Sequence, residues 1–228
     1  MKRRALLLAL ALLPACASAP KGPPVHEYTF VFLRQGPGLA QTPKEQLPKL
    51  QEGHMANINR LADERALLLA GPFGAPSPEP ELRGIFVFAE RDTRAVDALL
   101  ASDPMISAQV LAGESAPWST TTDLAAALAR WEAFEEQGKS DPEFSFMKGM
   151  RTYYAVFAEE GERASRALEP LRASGKLAME GRFGGTRAGQ ALFLVDAAKP
   201  AEGAALLAPL GDLGPTRCTP WFGSAFLR

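Results

Sequence analysis

The chain has 228 residues, 46% of them apolar, with 25 basic and 26 acidic side chains, 2 histidines and 2 cysteines. A net charge of −1 with no Lys/Arg cluster beyond the N-terminus gives no electrostatic reason to expect nucleic acid as a partner. The apolar content and the ordinary charged fraction describe a folded globular chain, long enough for two domains of roughly 90 residues.

The N-terminus reads Met1-Lys-Arg-Arg4, then an apolar run over 5–13, then Leu13-Pro14-Ala15-Cys16. A basic start, a short apolar stretch and small residues form an export signal, too short to span a bilayer as a helix. Leu at −3, Ala at −1 and Cys directly after resemble a bacterial lipobox, with Cys16 as the lipidated residue; Pro14 is an unusual occupant of the −2 place. The expected location is therefore the cell envelope, lipid-anchored, with ordinary cleavage to a secreted or periplasmic soluble form as the alternative. Lipidation of Cys16 leaves Cys218 without an internal disulfide partner, and it reads as a small apolar residue of the last strand.

Residues 17–26 are a tether. From residue 27 the pattern is that of a folded domain. Residues 28–33, Tyr-Thr-Phe-Val-Phe-Leu, are β-branched and aromatic and predict a strand with two apolar faces, so both sides of its sheet should be covered. Thr42 to Glu45 has capping-box spacing, but an interior Pro48 disfavours a helix running through it, so the main helix is expected to start near Pro48. Along it Leu50, His54, Ile58 and Leu61 form one apolar stripe. Strands follow at 66–73 and 84–89, then a helix capped by Asp92 or Thr93 with Val96, Leu99 and Leu100 inward, and a fourth strand over 107–116 ending at Pro117-Trp118. The order is βαββαβ, the ferredoxin-like plan.

The plan then repeats. Residues 61–74 align with 171–184 without a gap, Gly84 matches Gly189, Pro104 matches Pro209, and Pro117-Trp118 matches Pro220-Trp221. In this register His54 stands opposite Ala164 and Asp103 opposite Ala208. The expected organisation is a signal peptide over 1–16, the tether over 17–26, a first domain over 27–120, a linker over 121–150 and a second domain over 151–228. The linker carries an amphipathic helix, with Leu124, Leu128, Trp131 and Phe134 on one side, that should dock on a domain.

Taken alone, a histidine on an apolar helix stripe reads as a buried side chain held by one hydrogen bond, and Asp before Pro as a turn former. Gly71-Pro72 reads as a backbone turn, with its amides as candidate pocket lining. The early aromatic strand, His54, Ala70-Gly71-Pro72-Phe73, Gly84, Asp103-Pro104 and Trp118 together resemble the YCII-related domain family, with the second copy a degenerate member. That resemblance implies ferredoxin-like units pairing into α+β barrels, here two units of one chain packed as a pseudo-dimer. It further implies that His54 and Asp103 form an active-site dyad. Such a pair suits general acid/base chemistry of the isomerase or lyase type on a small organic molecule. The alternative is a non-catalytic lipoprotein binding a small ligand or a partner. No cofactor is expected: no haem attachment motif is present, and one His and one Asp are too few ligands for a metal.

Overall fold

The structure is a computed structural model that describes residues 23–75, 77–197, 200–208 and 216–228. The export signal and Cys16 lie outside the described residues. The fold is α+β, with eight strands in a single antiparallel sheet.

In chain order the first copy contributes β1 (His26–Gln35), α1 (Leu47–Asp63), β2 (Leu67–Pro72), β3 (Leu82–Phe88), α2 (Thr93–Leu100), α3 (Pro104–Ser107) and β4 (Leu111–Thr120). Helix α4 (Leu124–Gly138) and a 3₁₀ turn at Phe146–Gly149 lead to the second copy. That copy comprises β5 (Met150–Ala158), α5 (Gly161–Ala167), α6 (Glu169–Ala173), β6 (Leu177–Phe183), β7 (Ala191–Asp196), α7 (Pro200–Leu207) and β8 (Thr216–Ser224). The strand order is β2-β3-β1-β4-β6-β7-β5-β8, so each copy has the same internal order.

The two halves of the sheet pair in the same register. Phe30 pairs with Val87 and Ala116 in the first copy; Ala155 pairs with Leu194 and Thr219 in the second. The turn leaving the helix also uses a left-handed residue at the aligned place in both copies, Arg65 (φ 59°) and Gly175 (φ 68°). Strand pairing corrects one sequence match. Pro72 pairs with Gly84 and Arg182 with Ala191, which makes Ala191, not Gly189, the counterpart of Gly84.

The copies join edge to edge. Trp118 of β4 pairs with Phe183 of β6, and at the other seam Phe73 bridges to Trp221 of β8 while Gly74 N–H donates to the Pro220 carbonyl. The sheet thereby closes on itself. Alternate strand residues face inward, as a period of two requires. Phe30, Phe32, Ile85, Val87 and Trp118 share one core with Tyr153, Phe157, Phe183, Leu194 and Trp221. The outward residues Val31, Leu33, Phe86 and Phe88 pack under the helices with Leu61, Val96 and Leu100. Both apolar faces of the first strand are thus covered, as its composition predicts.

Helix α4 docks as its amphipathic pattern predicts. Asp123 caps it by accepting from Ala126 N–H, and Leu124, Ala127 and Leu128 enter the shared core at the end of the sheet where β1 begins. Tyr28 Oη accepts the Leu124 amide at 3.1 Å. At the opposite end Arg34, Arg187 and Arg217 alternate with Glu79 and Glu114 in ion pairs that cross between the copies.

Two boundaries differ from the sequence reading, while the start of α1 near Pro48 agrees with it. The expected fourth strand at 107–116 begins at Leu111, because Asp103-Pro104 opens one extra helical turn that takes in Ser107. The single helix that the repeated plan places before β6 is two short helices that part at Leu168, just before Pro170. The capping-box segment at Thr42 to Glu45 forms turns, and α1 begins at Leu47 with Pro48 in its first turn.

Candidate functional site

Helix α1 lays its stripe over β3. His54 is buried there, its ring stacked on Phe86 with centroids 5.9 Å apart and planes 21° from parallel. Gly53, one residue back, lets α1 approach the α3 turn: a Cβ at Gly53 would stand 2.9 Å from Pro104 Cγ. This close approach brings the stripe histidine to the residue that opens α3.

Asp103 is 1% exposed and uses both carboxylate oxygens. Oδ1 caps α3, accepting from Met105 N–H at 2.9 Å and Ile106 N–H at 3.4 Å. Oδ2 lies 2.7 Å from His54 Nδ1. A buried carboxylate is costly unless its lone pairs are satisfied, and here two backbone donors and the imidazole satisfy them. Because both α3 donors are fixed N–H groups, the carboxylate cannot rotate away from the ring. The geometry assigns the proton to Nδ1 in the neutral imidazole, leaving Nε2 as the free acceptor. Among the described residues Nε2 has no protein partner, and it is not one of the buried polar atoms sealed from solvent.

The same face of α1 carries a residue the sequence reading passed over. Asn57, one turn beyond His54, is 8% exposed. Its Oδ1 accepts from Arg60 Nη2 at 2.8 Å and lies 3.1 Å from Ser102 Oγ, while its Nδ2 is buried without a hydrogen-bond partner. The available signal was its place on the stripe three residues after His54.

The other sequence candidates lie elsewhere. Gly71 and Pro72 do not join the dyad. Gly71 pairs with inward-facing Ile85, and its carbonyl accepts Trp221 Nε1–H at 3.0 Å, so its missing side chain makes room for the indole at the seam. Pro72 is exposed at the end of β2. Neither lines a pocket around His54. They are backbone devices of the strand end. Cys218 is a free, partly buried thiol on β8, and burial pushes its pKa up to about 11, which keeps it in the poorly nucleophilic protonated form at neutral pH.

In the second copy Ala164 occupies the aligned place of His54 and is fully buried in the cluster that holds Phe193, the counterpart of Phe86 by strand register. Ala208, aligned with Asp103, follows α7, and residues 209–215 beyond it lie outside the described residues. The polar pair of the first copy thus has no histidine opposite it. Among the described residues no group of three or more His, Cys, Asp or Glu side chains could hold a metal ion, and no helix is long and apolar enough to cross a membrane.

No family model matches the chain, and no curated protein matches it. Among solved structures it is similar to a protein of Lactobacillus acidophilus NCFM described as a "putative monooxygenase", at 9% identity over 87% of this chain and 94% of that one, with a TM-score of 0.46. A likeness this distant says nothing of activity or ligand.

Proposed function

We propose that His54 and Asp103 form a general acid/base dyad acting on a small organic molecule, in an isomerase or lyase type of reaction. The observation that carries the reading is the 2.7 Å contact between Nδ1 and Oδ2 with Nε2 left unpartnered. Asp103 fixes the tautomer and stabilises the imidazolium that forms when Nε2 takes a proton; the same ring then returns it. Phe86 holds the ring plane and the α3 amides hold the carboxylate, so the pair is set in place before any substrate arrives.

The wider frame belongs to the same proposal. The chain is a tandem pair of YCII-like units packed as a pseudo-dimeric α+β barrel, the first keeping the polar pair and the second serving as scaffold. The shared inward core and the two equivalent seams support this. An envelope lipoprotein anchored at Cys16 is the location that the N-terminal sequence supports.

A second reading has its own observation. Asp103 also caps α3, and His54 is 8% exposed within a helix–sheet layer, as a purely structural clamp in a non-catalytic ligand- or partner-binding protein would be. The two readings separate on one assay. A panel of small carbonyl acids is incubated in D₂O with wild type, His54→Ala and Asp103→Asn, and carbon-bound deuterium is followed by NMR. Exchange that both substitutions abolish supports the dyad. Loss of ligand binding in His54→Ala, with no exchange in any protein, supports the binder.

A further inference from the structure

We infer that the end of the closed sheet where β1 begins, covered by α4, lies on a lipid bilayer, with Phe146 and Met147 set into its interface. This rests on the Cys16 anchor reading above and adds the face of the protein that meets the lipid.

Sheet topology gathers the pieces at one end. Antiparallel pairings lead from β1 through β4, β6 and β7 to β5, so β5 runs parallel to β1 and begins at the same end. In the closed order the two strands stand on opposite sides of the sheet, and α4 lies between them in the chain, after β4 and before the 3₁₀ turn that enters β5. Among the described residues the exposed large apolar side chains are Val25, Met55, Phe146 and Met147. Val25 directly precedes β1, and Phe146 and Met147, 47% and 54% exposed, directly precede β5. Three of the four thus mark this end, on both of its sides, while Met55 stands apart on α1. Exposed apolar residues gathered in this way mark a contact surface.

The support behind the pair is aromatic. Phe146 meets Trp131 edge-on with centroids 5.9 Å apart, and Trp131 and Phe134 both rest against Phe226. Aromatic rings beneath exposed apolar tips suit the boundary between headgroups and acyl chains. Arg130 donates to the Phe226 carbonyl at 2.8 Å and Lys148 to the Glu143 carbonyl at 3.0 Å; among the described residues neither pairs with a carboxylate. Glu135, Asp141 and Glu143 offset these cations, so apolar burial and not anionic lipid drives the contact.

Tether length selects this end. Cys16 precedes Val25 by nine residues, at most about 30 Å of extended chain. β1, with 10 residues, spans about 33 Å, so the tether falls short of the far end and an acylated Cys16 holds the beginning of β1 toward the lipid. α3 leads into β4 where Leu111 pairs with Gln35, at the far end, which leaves Asp103 on the side away from the bilayer.

The test uses the full chain expressed in a bacterium, purified and reconstituted in phosphatidylcholine vesicles with plain or brominated acyl chains. The mass of the N-terminal peptide reads lipid on Cys16, and tryptophan emission reads contact with the brominated chains. Trp118 and Trp221 are 2% and 0% exposed inside the sheet, so quenching reports Trp131. The inference expects a lipidated Cys16, loss of emission with brominated lipid, and no such loss in Trp131→Phe. Met147→Glu should reduce the quenching, and Phe146→Ser is the second variant, both at exposed positions. A lipidated Cys16 with no quenching, quenching that survives in Trp131→Phe, or variants quenched as wild type is, would overturn the inference and leave the anchor standing. An unlipidated Cys16 overturns the anchor reading and the inference together.

Discussion

Trp221 donates its indole N–H to the Gly71 carbonyl at 3.0 Å, tying the last strand of the second copy to β2 of the first. At the equivalent place in the other seam, Trp118 lies over Gly181, and its buried Nε1 has no partner. The seams share one design and differ by one hydrogen bond. Trp→Phe removes a similar volume at both, so Trp221→Phe should cost about 1 kcal/mol more than Trp118→Phe in urea unfolding. Equal costs, or the reverse order, would mean that this bond does not stabilise the seam.

Both glycines under these rings are steric necessities. A Cβ at Gly71 would meet Trp221 Cζ2 at 2.6 Å and the Phe222 carbonyl closer still, and one at Gly181 would collide with the Trp118 indole. Neither ring lies at the end of a flexible chain. Gly71→Ala and Gly181→Ala should each destabilise by about 1–3 kcal/mol or more. Thermal melts of the two variants that match wild type would show that the seams are looser than described.

Helix α4 is part of the core and not a spacer. Leu124 is fully buried in the cluster shared by both copies. Leu124→Ala should cost about 2–5 kcal/mol, the range of buried leucine truncations. A cost below about 1 kcal/mol in equilibrium denaturation would contradict the docking.

The ion pairs at the far end of the sheet set an acid limit. Burial raises the Glu114 pKa, but the Arg187 and Arg34 guanidiniums outweigh it and hold the group below its ordinary 4.5. A carboxylate with a depressed folded pKa contributes stability above the unfolded value and loses it as pH falls through the folded one. Urea midpoints of wild type and Glu114→Gln should therefore differ at pH 7 and converge as pH falls below the ordinary 4.5 and through the lowered folded value. A gap that widens on acidification would reverse the sign.

Much of this was legible in the chain. Strand and helix identity followed from local pattern, because residues such as Phe30 to Leu33 and the α1 stripe carry their own periodicity. Trp118 and Trp221 marked matching strands, and they stand at matching places in β4 and β8. The seams were not, since pairing between β4 and β6 joins residues some 65 apart with no local signal for register. That is why Gly71 read as candidate pocket lining when it makes room for an indole. The extra turn of α3 was missed because Asp-Pro serves both turns and helix starts. Asn57 was missed because a polar residue on a stripe reads as an interruption, and its unmet donor is visible only in three dimensions.

The central claim is that Asp103 sets the tautomer of His54. Long-range ¹H–¹⁵N NMR of the ring reads this directly. In wild type the neutral ring should carry its proton on Nδ1. In Asp103→Asn the α3 amides of Met105 and Ile106 can only donate, so they retain the new side-chain oxygen and turn its NH₂ toward His54. Nδ1 must then accept, and the proton should move to Nε2, removing the free base. A wild-type ring protonated on Nε2, or one whose tautomer ignores Asp103→Asn, would contradict the account.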